Sequence, residues 1–167
     1  MKDDSKEVLT CPACGKDMEK IYIERANCHI DVCTNGCGGI YFDNREFKKF
    51  DEKLESIDEI QKVLEGKTFK KVDETFKRTC PACGMKMVKN STSILGEIII
   101  DDCYSCGGKF LDCGELAKIR AEYPTEEARS KAVTEFIKSK MGSEYDETYT
   151  LKPAKQDGLN GLINKFF

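Results

Sequence analysis

Two short pairs of cysteines with 19 residues between them constrain this chain more than any other feature. The pairs are Cys80/Cys83 and Cys103/Cys106, in a stretch that ends at Glu115. Four soft thiolates with this spacing are typical of one tetrahedral zinc site. The stretch is therefore expected to fold around a metal ion.

The same pattern occurs upstream between Cys11 and Glu46, at an offset of 69 residues (80 against 11). The matching positions are Cys11, Cys14, Cys37, Asp43 and Glu46 against Cys80, Cys83, Cys106, Asp112 and Glu115. Only Cys33 is out of step with Cys103, by one residue. A self-match at a fixed offset indicates two copies of one module. We therefore predict two metal sites, site one (Cys11, Cys14, Cys33 and Cys37) and site two (Cys80, Cys83, Cys103 and Cys106).

A module of about 40 residues buries too little apolar surface to fold alone and needs a metal ion or disulfides. Ten cysteines in 167 residues also suit a disulfide-rich secreted protein. However, the polar start MKDDSKEV lacks the apolar region of a signal peptide, and no run of 18 apolar residues is present. These features favour two Zn²⁺ ions in a cytoplasmic protein with no integral membrane association. Iron in a rubredoxin-like site uses similar ligands and stays open.

Each copy is expected to form a three-stranded ribbon. Residues 18–32 alternate as a hairpin does, with Ile30 and Val32 on the same face as Cys28. A Gly-Gly pair follows each second cysteine pair and precedes a third short strand, at 40–42 and 109–111. The predicted fold class is small, metal-stabilised α+β. It has two tandem three-stranded zinc ribbons, each followed by a helix, and a C-terminal helix and tail.

Helices are predicted from capping patterns and apolar spacing. Asp43/Glu46 and Asp112/Glu115 have the spacing of a capping box, which favours helix capping over metal binding for these acids. Apolar residues then recur every three or four positions across 43–65, with Gln61 filling one place, as one helix or two. That stripe consists of Phe47, Phe50, Leu54, Ile57 and Leu64. Thr125 is expected to cap a last helix at 126–141.

These patterns divide the chain into six segments. They are a disordered N-terminus (1–10), ribbon one (11–47), a helical linker with a basic end (48–79), ribbon two with its helix (80–123), a C-terminal helix (124–142) and a flexible tail (143–167). The tail ends in apolar residues at helical spacing, which we expect to dock on the protein itself; a partner groove or a membrane surface are the alternatives. Whether the two ribbons pack together stays open.

The repeated motif resembles a known family. CPxCG, a hairpin, CxxCGG, a short strand, Asp and then x-x-Glu-Leu resemble a small bacterial zinc-ribbon family named for its likeness to the zinc finger of transcription factor IIB. The resemblance covers 11–47 and 80–116. Ribbon one departs from it, because three residues separate Cys33 from Cys37 and Phe47 replaces the usual Leu. The resemblance implies zinc binding and suggests a transcription-related or nucleic-acid role.

Four protein ligands close each site, whereas a catalytic zinc keeps one position open for water. The sequence also has a single histidine, His29, and no nucleophile–base pair or phosphate-binding glycine loop. We therefore predict structural zinc in a non-catalytic binding module, not an enzyme.

The partner stays open between nucleic acid and protein. The formal charge is −3, and two zinc-tetrathiolate sites of net −2 each lower it to roughly −7, which disfavours nucleic-acid binding through the overall field. A basic stretch beside ribbon two, with Phe69 and Phe76 for stacking, favours local nucleic-acid contact. Its basic residues are Lys67, Lys70, Lys71, Lys77 and Arg78.

Two further alternatives rest on other features. The helical stripe and the apolar C-terminus favour a protein-interaction adaptor. A thiol redox sensor would use oxidation-driven zinc release or Cys113, which follows the predicted N-cap Asp112. Cys28 is expected to be a small buried apolar residue and not a ligand.

Overall fold

A single six-stranded antiparallel sheet runs through both copies of the repeat. The computed structural model describes residues 7–51, 55–92, 96, 98–123 and 125–141. The strands are β1 (Glu19–Ile23), β2 (Cys28–Val32), β3 (Ile40–Phe42), β4 (Val88–Ser91), β5 (Ile99–Asp102) and β6 (Lys109–Leu111). Their order is β1-β2-β3-β6-β5-β4. The predicted fold class is confirmed, and the two ribbons pack as one unit.

The seam between the ribbons is the pairing of β3 with β6. Tyr41 lies opposite Phe110, and Ile40 lies opposite Leu111. Each of these strands is short and would be an exposed edge in an isolated ribbon, where its backbone groups would be unpaired. Pairing the two edges satisfies those groups. Because side chains alternate across a sheet, Ile40 and Leu111 share one face and Tyr41 and Phe110 share the other.

The Ile40 face of the sheet carries the main apolar core. The predicted alternation of β2 is observed, because Ile30 and Val32 are fully buried and Cys28 packs against the same cluster. Both copies and the segment between them contribute to this core. Its buried members are Ile23, Ile30, Val32, Ile40, Phe42, Phe47, Phe50, Ile60, Ile100, Leu111 and Leu116.

The helical elements are shorter than the apolar stripe suggested. They are a 3₁₀ helix (Phe47–Lys49), α1 (Asp58–Leu64), α2 (Glu115–Glu122) and α3 (Glu126–Met141). The stripe correctly marks buried positions, since Phe47 and Phe50 are in the core and Ile57 packs against it. One continuous helix over 43–65 does not form, because Phe50 has a φ of −138° and leaves the helical region. Leu54 lies outside the described residues.

The Glu of each predicted capping box binds backbone as predicted, but neither Asp is an N-cap, and the 3₁₀ helix has Glu46 at that position. The backbone N–H of Asp43 donates to Glu46 Oε2 (2.8 Å), and that of Asp112 donates to Glu115 Oε2 (2.7 Å). The N-cap of α2 is nevertheless Gly114, with a φ of 86°, and not Asp112. The chain makes a turn at Asp112 before the helix begins. Thr125 Oγ1 accepts from the N–H of Ala128 (3.2 Å), as its predicted capping role requires.

The chain enters the fold earlier than the predicted disorder of 1–10 suggested. Leu9 is buried and its carbonyl accepts from the N–H of Met18 (2.9 Å), while Thr10 forms a β-bridge with Asp17. Leu9 packs in a second core, which surrounds the metal sites. The predicted tail (143–167), including its apolar end, lies outside the described residues. Within the described part of the chain, no helix is both long and apolar enough to cross a membrane.

Candidate metal centres

The structure brings the eight predicted ligands together as two separate groups of four. Within each group the Sγ atoms all lie within 4.8 Å of one another. The short separations are 3.5 Å (Cys11–Cys37) and 3.4 Å (Cys14–Cys33) in site one. In site two they are 3.6 Å (Cys80–Cys106) and 3.4 Å (Cys83–Cys103). A tetrahedral zinc ion with Zn–S bonds of about 2.3 Å places its sulfurs about 3.8 Å apart. Each group of four sulfurs therefore fits one structural zinc ion.

Tight backbone turns shape the cysteine pairs. The N–H of Gly15 donates to the carbonyl of Cys11, and the N–H of Gly84 donates to that of Cys80, both at 2.9 Å. The second cysteine pair of ribbon one has three residues between its cysteines and also forms a hydrogen-bonded turn. The N–H of Gly38 donates to the carbonyl of Cys33 (3.0 Å). In site two, the backbone N–H of Met85 lowers the pKa of the Cys83 thiol to about 7. This favours the thiolate, which is the form that binds zinc.

Aromatic residues cross the seam and lie against the opposite site. Tyr41 from ribbon one places its hydroxyl oxygen 3.3 Å from Cys80 Sγ and 3.8 Å from Cys106 Sγ. A Cβ atom on Gly108 would overlap this hydroxyl, and a Cβ on Gly39 would overlap the ring of Phe110. The second glycine of each Gly-Gly pair therefore provides room for the aromatic ring of the other ribbon. Sequence reasoning missed Tyr41, although an aromatic residue in the middle of the third strand recurs in both copies.

Comparison with known proteins agrees with this geometry. The family profile described as transcription factor zinc-finger (TFIIB-type zinc ribbon) matches residues 10–53 and 79–122, together just over half of the chain. The chain belongs to this zinc-ribbon family. Neither the curated proteins nor the solved structures searched gave a match. Each matched region contains one four-cysteine site, so this tandem zinc ribbon is a zinc-binding module with two structural sites.

Arg78 of the tandem zinc ribbon does not belong to a basic surface, which corrects the nucleic-acid role predicted for it. Its side chain is 1% exposed. It donates to Asp101 Oδ2 (2.7 Å) and to Asp112 Oδ2 (2.8 Å), and its guanidinium lies 4.9 Å from the ring centroid of Phe110. Two buried carboxylates need a buried cation, and Arg78 supplies it.

The lysines of the basic stretch at 67–77 are exposed, but this stretch follows a different path from the one expected. The backbone N–H of Lys70 donates to the carbonyl of Gly36 (3.2 Å), so the linker passes along site one before it reaches ribbon two. Phe69 is half-buried against Gly38, whereas Phe76 is 65% exposed. Only Phe76 is therefore open for stacking. The exposed lysines are Lys67, Lys70, Lys71 and Lys77.

Neither leftover cysteine joins a metal site among the described residues. Cys28 packs against the main core, although it is half-buried and not fully buried as expected. Cys113 is exposed, but partial burial of its sulfur raises its pKa, and the negative charges of Cys37 and Asp112 raise it further. A raised pKa leaves less of the reactive thiolate at neutral pH than in an ordinary cysteine. His29 packs its ring against Tyr22, with ring centroids 5.0 Å apart.

Proposed function

We propose that this tandem zinc ribbon is a non-catalytic module that binds a protein partner through exposed apolar residues of ribbon two. Three side chains carry the proposal: Met85 is 55% exposed, Val88 is 45% exposed and Tyr104 is 67% exposed. We call these three residues the apolar tip. Methionine and aromatic residues are enriched where proteins bind one another, and exposed clusters of them mark interaction sites.

The three residues of the apolar tip belong to one end of ribbon two. The Tyr104 hydroxyl contacts the side-chain amide of Asn90, and Asn90 shares a strand face with Val88. Met85 follows Cys83, whose sulfur lies 3.4 Å from that of Cys103, the residue before Tyr104. Met85 and Tyr104 therefore each lie within two residues of a cysteine of site two, on the same ribbon as Val88.

Ribbon one shows that the zinc-ribbon fold itself does not require these apolar residues. The positions equivalent to Met85, Val88 and Tyr104 hold Lys16, Glu19 and Thr34. Thr34 Oγ1 donates to Glu19 Oε2 (3.0 Å), so ribbon one uses a polar contact where ribbon two exposes an aromatic ring. Each copy has the same three strands and four cysteine ligands. A binding role accounts for the difference, since the strands and ligands do not.

The negative charge of the chain favours a protein partner over a nucleic-acid partner. The formal charge of the chain is −3 before the thiolates are counted, and Asp73 and Glu74 interrupt the basic part of the linker. The closed four-cysteine sites leave no open metal position for a substrate, which supports a non-catalytic role. Single-stranded nucleic acid is the second candidate, because Phe76 is 65% exposed within the lysine-rich linker.

The test compares the full-length zinc-loaded protein with a triple variant, Met85→Lys, Val88→Glu and Tyr104→Thr, which carries the residues of ribbon one. Chemical cross-linking in native cells should give a partner of fixed stoichiometry with the parent protein and lose it with the variant. Zinc content and melting temperature should not change. Retention of the same partner by the variant would refute the proposal.

The second candidate is tested on the same proteins by fluorescence anisotropy with single-stranded DNA and RNA at low and moderate salt. Binding that survives in the triple variant, but is lost when Lys67, Lys70, Lys71 and Lys77 are changed to Ala, would favour nucleic acid. Absence of binding at low salt would remove that candidate.

A further inference from the structure

We propose that Tyr41 is a positioning residue for the zinc site of the opposite ribbon, and that it slows the loss of zinc from site two. Tyr41 lies on β3 of ribbon one, yet its hydroxyl oxygen lies 3.3 Å from the Sγ of Cys80 and 3.8 Å from that of Cys106. Both cysteines belong to the site-two cluster. The pairing of β3 with β6 carries this side chain across the seam.

The direction of the hydrogen bond follows from the chemistry of the ligands. A cysteine that binds zinc is a thiolate and has no proton to donate, so the Tyr41 hydroxyl is the donor. Tyr41 is fully buried. Water therefore cannot replace the hydroxyl if it is removed. Hydrogen bonds of this kind orient metal ligands, and their removal typically costs about 10-fold to 100-fold in metal affinity.

Site one has no equivalent donor at the corresponding position. The residue opposite Tyr41 in the sheet is Phe110, and its ring fills the space beside Gly39 as Tyr41 fills the space beside Gly108. A phenylalanine ring packs in the same way but cannot donate to sulfur. The two zinc sites therefore differ in one hydrogen bond from the partner ribbon, although their cysteine ligands are the same.

The arrangement makes zinc retention at site two depend on the folding of ribbon one. Tyr41 reaches Cys80 only while β3 is paired with β6. Local opening of ribbon one would therefore remove the donor from site two.

The test is Tyr41→Phe in the full-length protein loaded with two zinc ions, with Tyr22→Phe as the matched control. Tyr22 is also on ribbon one, and its hydroxyl donates to Asn27 (2.9 Å) and not to a sulfur. Each protein is mixed with a chelator and a thiol-alkylating reagent, and peptide mass spectrometry follows alkylation of each cysteine with time. Zinc loss exposes the thiolates to the alkylating reagent. The alkylation rates of the two sets of cysteines therefore measure zinc loss from each site separately.

The proposal predicts that Tyr41→Phe speeds alkylation of the site-two cysteines about 10-fold or more, with little change at site one. Tyr22→Phe should change neither site. Equal acceleration at both sites would assign Tyr41 a merely structural role and overturn the proposal, as would no change at site two.

Cobalt substitution adds a spectroscopic signal, the position of the charge-transfer band, which does not shift when the protein is only destabilised. Loss of a hydrogen bond leaves more electron density on the thiolate, so the sulfur-to-cobalt charge-transfer band of Tyr41→Phe should move to longer wavelength. The band of Tyr22→Phe should not move. An unchanged band in Tyr41→Phe would contradict the hydrogen bond.

Discussion

Replacing Arg78 with leucine should strongly destabilise the protein. Ribbon one has Leu9 at the equivalent position, so the substitution suits the local backbone. It leaves Asp101 and Asp112, which are 2% and 6% exposed, without the guanidinium that lies between them. The change therefore removes one member of a buried ion-pair network and leaves two buried carboxylates.

The expected loss in the free energy of unfolding depends on which charged partners the two carboxylates keep. Removing one partner of a buried ion pair typically costs about 3–5 kcal/mol, because the other charge is left uncompensated. Asp101 keeps Lys89, whose Nζ lies 3.2 Å away and whose side chain is 30% exposed, so most of the loss falls on Asp112. This places the ion-pair contribution at about 3 kcal/mol. Loss of the cation–π contact with Phe110 adds about 1 kcal/mol.

The measurement is urea denaturation at pH 7.5 with the free zinc concentration held constant, compared through the extrapolated free energy of unfolding. Lys77→Leu is the control, because it removes an exposed cation from the neighbouring position and should cost under about 0.5 kcal/mol. Adding Asp112→Asn to Arg78→Leu should restore part of the loss by removing the uncompensated charge. An Arg78→Leu protein within about 0.5 kcal/mol of the parent would refute this reasoning.

Burial raises the pKa of Glu115 from 4.5 to about 7, so the folded state favours the protonated acid, and the stability that the protonated form contributes is lost as pH rises from 4.5 through about 7. Glu115→Gln should therefore stabilise the protein by about 2 kcal/mol at pH 6 and about 3 kcal/mol at pH 8 in urea titrations, and a pH-independent effect would contradict this. Gly108→Ala should cost about 1–3 kcal/mol in the same assay, because its Cβ overlaps Tyr41; an alanine that costs nothing would contradict that packing. Cys103→Ser should retain one zinc ion by native mass spectrometry and increase hydrogen exchange in both ribbons, because they share the sheet; protection unchanged in ribbon one would show independent modules.

Much of the metal chemistry was predictable because it depends on residue type and local spacing. Cysteine pairs separated by two or three residues form tight turns, and the 69-residue offset (80 against 11) indicated two such modules. Strand alternation is sufficient to place Ile30 and Val32 in the core, where both are fully buried. The apolar stripe at 43–65 marked buried side chains for the same reason. It did not specify a continuous helix, because the side chain of Phe50 is buried although its backbone is not helical.

The contacts between the two copies were decided only by the tertiary structure. Whether two ribbons form separate units or one sheet depends on the pairing of β3 with β6, and backbone hydrogen bonds leave little trace in residue type. That pairing brings the Tyr41 hydroxyl to the sulfur of Cys80, although 39 residues separate them. Similarly, a basic residue beside four lysines is expected at the surface, but the fold places Arg78 between two buried carboxylates. Residue types and spacing determined the eight ligands, whereas long-range packing determined how each ribbon supports the other.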